Sequence, residues 1–302
     1  MIFDLSKAAT KDGRPYIKMI LSDSGGVLIN AIMFDCNKLD FNPKKGDMVT
    51  VSAMLQQYNN QSQLKVNDMI LVASGGTEAF LPKSKNNPKE MAEELRRLLQ
   101  KHITSDYFQT LLQIFYDDTD TWEKFQIIPA AKSVHHAYVH GLMEHTLAMV
   151  RLAAHIVPLY PHVNKELLLI GALFHDLGKV RELDISAGIE YSDDGRLLGH
   201  IMLGYLMVNR YLDKAGNFPE PIRQQLLHLL ASHHGALEFG SPLVPKTAEA
   251  LLLNFIDDMD AKLNAVSSVF EKEDIHPGGW SCYNKSLERQ LYYPPKDTKQ
   301  GG

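Results

Sequence analysis

Cysteine is nearly missing from this chain: Cys36 and Cys282 are the only two in 302 residues, far apart and in unrelated contexts. Two lone thiols exclude a disulfide framework and fit a reducing compartment, so a cytoplasmic location is expected. Long apolar runs are missing too. The longest, such as Glu166 to Phe174, stop well short of the roughly 20 residues a membrane span needs. The opening Met1-Ile2-Phe3-Asp4 has neither the basic nor the apolar region of a secretory signal. No membrane partner is therefore expected. Positive charge is not in excess either: the net charge is −5, which argues against coating nucleic acid by bulk electrostatics. A nucleic-acid substrate stays open, because bound divalent cations add charge that formal counting omits.

What is present divides the chain. Its length suggests two domains, and 45% hydrophobic with 22% charged residues is ordinary for a folded core. Tyr16 to Leu21 and Val27 to Phe34 flank Ser22-Asp-Ser-Gly-Gly26, a hairpin signal. Val49, Val51, Ala53 and Leu55 alternate with intervening residues at the period of a half-buried strand. Leu64 to Val72 reads as another. About five short strands fit a small barrel or sandwich over residues 1–75. Gly75-Gly76, Pro82 and Pro88 mark a linker over 76–90, with Asn87-Pro88 resembling a helix start. From 91 to 280 the reading is all-helical. Met91–Gln100, Asp106–Tyr116, His136–Ile156, Lys165–Phe174, His200–Leu212, Pro219–Ser232 and Thr247–Phe270 carry apolar residues at three- and four-residue spacings. Asp184 to Leu198 reads as a loop or small hairpin, and 281–302 as an irregular tail.

The compositional oddity is histidine. There are 13, mostly between His135 and His234. His175-Asp176 follows the apolar pattern of one predicted helix and precedes Leu177-Gly178-Lys179, with Gly178 as a helix end. Burying an ionised carboxylate beside a histidine is costly without a compensating cation or hydrogen bonds. His145, His200, His233-His234 and Asp257 fall on other predicted helices. Imidazole and carboxylate ligands without thiolate suit Mn²⁺, Fe²⁺, Mg²⁺ or Zn²⁺. Four histidines and two aspartates suffice for two cations sharing a carboxylate, the usual arrangement for phosphate-ester hydrolysis, with the ions roughly 3.5–4 Å apart. An isolated buried histidine is more often a hydrogen-bonded core residue. That reading is given to His102, His155, His162, His228 and His276.

His145, then His175-Asp176-Leu-Gly-Lys179, then Asp257 resembles the HD superfamily of metal-dependent phosphohydrolases. His200 in Gly199-His-Ile201 and Ser232-His-His-Gly235 resemble its two-metal subset. More narrowly, Pro129-Ala-Ala-Lys132, His135-His136, Gly141-Leu142 with Glu144-His-Thr146, and Ile256-Asp-Asp-Met-Asp-Ala-Lys262 resemble the YhaM-type 3′→5′ exoribonucleases. The resemblance runs over nearly the whole chain. It implies an N-terminal OB-fold over 1–75, to which Arg14-Pro-Tyr-Ile17 and Leu21-Ser-Asp-Ser-Gly25 fit, and an all-α HD domain over 91–280. Phe34 stands where the family usually has Trp.

What the resemblance implies is a metal-dependent 3′→5′ exoribonuclease that hydrolyses single-stranded RNA to nucleoside 5′-monophosphates, with single-stranded DNA the other candidate substrate. Its cofactors would be two divalent cations, Mn²⁺ ahead of Fe²⁺, Mg²⁺ and Zn²⁺. His145, His175, Asp176 and Asp257 would hold one ion. Asp176 would bridge to a second, held by His200 and one of His233 and His234. Lys179 would hold a phosphate oxygen, and Arg181 is either a second such cation or a helix cap. His136, read as one helical turn from His140, would line the substrate pocket. Tyr16, Phe34 and Tyr58 are the aromatics able to stack on bases, although acidic and basic residues balance around them. The alternative is an HD phosphohydrolase of a small nucleotide, with the barrel regulating or assembling it. A binding module with a dead site is the other rival, weakened by the presence of every expected ligand. No Gly-Tyr-Pro follows His233-His234, which counts against a cyclic-dinucleotide phosphodiesterase. Self-association is left open.

Overall fold

The computed structural model describes residues 1–10, 12–34, 36–58, 61–72, 80–132, 136–186, 188–273 and 275–295. Five strands come first: β1 (Ile2–Ala9), β2 (Pro15–Ser22), β3 (Leu28–Phe34), β4 (Val49–Tyr58) and β5 (Gln61–Leu71). They form one sheet in the order β1-β2-β3-β5-β4, antiparallel throughout except for the parallel pair β3–β5. Alternation decides which face is inside. Ile17, Met19 and Leu21 on β2, with Ala31, Met33, Val66 and Met69 beside them, form a small core of their own. The hairpin between β2 and β3 is the expected one: Asp23 Oδ1 accepts from the amides of Gly25 and Val27. Gly26, at φ +77°, could not carry a Cβ, which would lie 2.5 Å from the carbonyl oxygen of Leu81.

The expected closed barrel is present as an open sheet. No ladder joins β1 to β4 among the described residues. Among the described residues the backbone of Ile2 bonds across that gap, to Gly46 and Asp47 just ahead of β4.

The helices follow: α1 (Pro88–His102), α2 (Asp106–Asp117), α3 (Thr119–Ile127), α4 (Gly141–Ile156), α5 (Lys165–Phe174), α6 (Lys179–Glu182), α7 (Asp193–Lys214), α8 (Glu220–Ser232) and α9 (Ala248–Lys272). A two-strand hairpin, β6 (Leu183–Asp184) and β7 (Glu190–Tyr191), lies between α6 and α7. Helix α5 is buried over every residue from Leu167 to Phe174, as a helix apolar on all sides must be. It forms the axis of the large core that gathers Phe115, Phe125, Leu142, Val150, Leu226 and Leu253. Asn87 caps α1 with Pro88 at its first position, as expected.

Four expectations differ. The helix predicted from His136 starts at Gly141, because His136 (φ 48°) and His140 (φ 72°) are left-handed and cannot continue a helix. His136 and His140 are therefore not one helical turn apart. Helix α3 was not expected; Asp118 caps it by accepting from the amide of Thr121. Helix α7 begins at Asp193 rather than His200, capped by Ser192, and kinks at Gly199 (φ 70°, ψ 159°). The expected linker is packed chain where it is described: Leu81 is fully buried and Lys83 bridges to Val139. Gly75-Gly76, His135 and residues 296–302 of the tail lie outside the described residues. No helix among the described residues is long and apolar enough to cross a membrane.

Candidate metal centre

Five elements deliver the polar side chains to one buried point beneath α5. His145 sits in the second turn of α4, His175 caps the end of α5, and Asp176 follows it in the turn before α6. His200 comes directly after the kink in α7. His233 caps α8, with His234 next, and Asp257 lies on α9. The structure thus brings together every residue that the sequence singled out as a ligand. Asp258 turns outward and pairs with Lys262, which settles which of the two adjacent aspartates faces inward.

Asp176 stands at the centre. Its Oδ2 lies 3.3 Å from His175 Nε2 and 3.6 Å from His145 Nε2. Its Oδ1 lies 3.5 Å from His200 Nε2 and 3.7 Å from His233 Nε2. Asp257 Oδ1 adds to the first group, 3.3 Å from His145 Nε2. His234 Nε2 adds to the second, 3.3 Å from His200 Nε2. One carboxylate therefore separates two half-sites.

The hydrogen bonds on the far side of each ring fix what faces the centre. Nδ1 of His175, His233 and His234 donates to the carbonyls of Ala172, Leu230 and Phe239, at 2.8 to 2.9 Å. Nδ1 of His145 donates to Asp260 Oδ2 at 2.7 Å, and Nδ1 of His200 to Glu182 Oε1 at 3.0 Å. A neutral imidazole whose Nδ1 is a donor offers a lone pair at Nε2. Five such lone pairs converge. His145 Nε2 and His175 Nε2 stand only 3.0 Å apart, an arrangement of facing acceptors that needs a shared cation or a proton. Asp176 Oδ1 and His233 Nε2 are buried with no hydrogen-bond partner among the described residues, and unpaired buried polar atoms are costly unless something fills the gap. The donor set fits divalent cations.

The titration behaviour agrees. Burial opposes charge on Asp176, yet Lys179 and His175 outweigh it and hold the carboxyl well below the usual range. Asp257 is likewise held low by the hydrogen bond from His145, against its burial. Burial, followed by the neighbouring His234 and His175, pushes His233 well below its ordinary value. It pushes His234 down too. These imidazoles are neutral and able to ligate. His145 goes the other way: burial works against its charge, but hydrogen bonds with Asp257 and Asp260 raise it to about 9.

Asp260 and Glu182 were missed by the sequence reading. Each orients a histidine, and Asp260 also accepts from His136 Nε2 at 3.0 Å. A signal existed for Asp260, which is three residues from Asp257 and so on the same face of a helix. Glu182 gave none, since its helix is a single turn. His136 is buried, with Nδ1 against the Tyr138 hydroxyl at 2.9 Å. It thus reaches the centre through Asp260. With Asp260 it walls a cleft of about 390 Å³ that Asn86, Glu144, Arg151 and Asn264 help to line. Lys179 is buried and bonds Asp176 Oδ2 at 2.5 Å. Arg181 pairs with Asp194 on the surface. On the sheet, Tyr16 and Phe34 are register partners whose rings lie 5.7 Å apart. Phe34 and Tyr58 are exposed.

Residues 142–262 match the model of the HD domain. Over nearly its whole length the chain is similar to proteins named 3′-5′ exoribonuclease YhaM. It is 31% identical to that of Geobacillus sp. (strain WCH70), covering 98% of this chain and 90% of the relative. It is 33% identical to that of Listeria monocytogenes serotype 4b (strain CLIP80459), covering 96% and 91%. The chain belongs to the YhaM family. To the Oceanobacillus iheyensis member of that family it is 30% identical, covering 100% of this chain and 94% of the relative. No solved structure matches it. The HD match spans from α4 to α9 and so contains every candidate ligand, while the family likeness extends across the sheet as well.

Proposed function

We propose that this protein is a 3′→5′ exoribonuclease that shortens single-stranded RNA from its 3′ end and releases nucleoside 5′-monophosphates. One observation carries the reading: five imidazole lone pairs and two carboxylates converge on both sides of Asp176. His145, His175, Asp176 and Asp257 would hold one divalent cation. Asp176, His200, His233 and His234 would hold the other, Mn²⁺ by preference. When bound, the pair supplies an acidified water and neutralises charge on the phosphoryl oxygens. Two dications against two carboxylates leave the site net positive, which suits a phosphodiester.

The chain's own residues do the rest. Lys179, held against Asp176, places a fixed ammonium where a phosphoryl oxygen would lie. Asp260 and Glu182 fix the rings of His145 and His200, and His136 positions Asp260 beside the cleft that would take the terminal nucleoside. We read the five-stranded sheet as the OB-type module that the family resemblance implies. We assign to it the capture of the strand, with Tyr16, Phe34 and Tyr58 as the stacking surface. An RNA substrate and two free thiols, Cys36 and Cys282, support a cytoplasmic location.

The test is a synthetic RNA carrying a 5′ label, incubated with Mn²⁺. The products should form a ladder that shortens stepwise, and a 3′ label should leave at once as a mononucleotide. Internal fragments appearing early, or circular RNA cut as fast as linear RNA, would contradict the proposal.

A further inference from the structure

Lys132 belongs to the Pro129-Ala-Ala-Lys132 motif, yet nothing in the metal centre uses it. Its ammonium reaches Glu190 Oε2 at 2.6 Å. The other oxygen of the same carboxylate, Oε1, is taken at 2.5 Å by Lys45, which comes from the loop ahead of β4. One anion is thus gripped by two cations, one from the sheet region and one from the segment between α3 and α4. The pair keeps a net positive charge of one. Each ammonium is also steadied by an aromatic ring, Phe3 under Lys45 at 5.6 Å and Tyr191 under Lys132 at 5.6 Å. Burial opposes ionisation of Glu190, but the two lysines outweigh it and hold the carboxyl below the usual range. The side chains are a quarter to a third exposed, so solvent and solutes reach them.

The location matters. Glu190 is on β7, and two residues on, the amide of Ser192 bonds the carbonyl of Glu182. The carboxylate of Glu182 holds His200. On the other side, Lys45 adjoins Gly46, which bonds Ile2, the register partner of Leu21. Tyr16 lies five residues along β2 from Leu21, about 17 Å at the rise of a strand. The lysine pair is therefore linked on one side to the strand that carries Tyr16 and on the other to Glu182, which holds His200. A carboxylate with both oxygens engaged has the charge and the two-oxygen geometry of a phosphodiester's non-bridging pair.

We propose that Lys45 and Lys132 form a phosphate subsite for the backbone of single-stranded RNA passing from the sheet to the metal centre, with Glu190 as an internal stand-in that RNA displaces. The proposal rests on the exoribonuclease reading. It goes beyond that reading in naming a contact remote from the scissile bond, used by long substrates.

The test compares the wild type with Lys45→Ala, Lys132→Ala and Glu190→Gln, measuring RNA decay across a salt series. Removing either lysine should raise KM for a long oligoribonucleotide roughly tenfold, with a far smaller change in kcat. It should also flatten the dependence of log KM on log salt by about 0.7, the value of one phosphate contact to a single strand. Glu190→Gln should do the opposite, lowering KM and steepening the slope. If the three residues only clasp the sheet to the helices, Glu190→Gln would weaken RNA handling as the lysine variants do, and the salt slope would not move. Either result overturns the subsite. A wild type that does not shorten RNA at all sinks the exoribonuclease reading instead, so the two failures are distinguishable. Thermal melting of each variant separates lost binding from lost fold.

Discussion

At the scale of single residues, the centre is a matter of which nitrogen carries a proton. Each of the five histidines spends its Nδ1 on a fixed acceptor, so each turns its Nε2 inward, where a cation or, at His145, a proton is needed to reconcile them. Removing the bridging charge should therefore separate chemistry from folding. Asp176→Asn keeps the shape, and hydrolysis of RNA should fall at least a thousandfold while the melting curve with no metal added stays cooperative. Substantial activity in that folded variant, with Mn²⁺ supplied, would defeat the bridging assignment. Asp260→Asn should weaken Mn²⁺ affinity by about 10- to 100-fold, the usual effect of losing a ligand's orienting partner, as a metal titration would reveal. A pH dependence follows as well. His145 is raised from 6.5 to about 9 in the metal-free protein, so a cation must displace its proton. Mn²⁺ affinity should climb as pH rises toward about 9 and flatten above it. In the metal-free protein the same charge contributes stability in full below about 6.5, lost as pH rises through about 9. A Mn²⁺ affinity constant between pH 6.5 and 9 would contradict the assigned proton.

At the scale of elements, the order of helices was legible and their junctions were not. The apolar spacing found α1, α2, α8 and α9 because each shows the core one continuous face, and α5 because it is apolar all round. It overran at His136 because the left-handed turns at His136 and His140 are fixed by tertiary bonds, such as that from the amide of His136 to Asn264 Oδ1. Nothing local announces them. Gly178 shows the same limit. It reads as a helix end, but its φ is −61°, which any residue can adopt. The reason for glycine there is proximity: a Cβ would lie 1.9 Å from the carbonyl oxygen of His200 and 2.5 Å from the amide of Gly204. The pair α6–α7 can pack this closely only without it, and α7 carries His200. Gly178→Ala should therefore push α7 outward. The variant should bind close to one Mn²⁺ per chain instead of two and lose most of its activity, which metal analysis would show. Two tightly held ions in that variant would mean that the crossing does not set the second half-site.

At the scale of the whole molecule, the two-part layout could be read from composition, since period-2 alternation gives way to helical spacing near Pro88. The degree of connection could not. Met1 and Leu81 belong to the large helical core rather than to the sheet's own, and Gly26 of the β2–β3 turn rests on Leu81. The aromatics of the sheet are the clearest whole-molecule test of substrate capture. Tyr16→Ala or Phe34→Ala should raise KM for RNA by about 5- to 160-fold, since a stacked base is worth roughly 1–3 kcal/mol, with little change for a small phosphodiester. An unchanged KM in both variants and in Tyr58→Ala would remove the stacking role.

The account of the active centre depends on two cations meeting across Asp176, and a titration of the metal-stripped chain with Mn²⁺, followed by electron paramagnetic resonance, measures that directly. Asp176 divides the donors into two groups facing its opposite oxygens. The spectrum should saturate at two Mn²⁺ per chain and show the exchange coupling of ions about 3.5–4 Å apart, and Asp176→Asn should lose the coupling. Saturation at one uncoupled Mn²⁺ in the wild-type chain would contradict the two-cation centre.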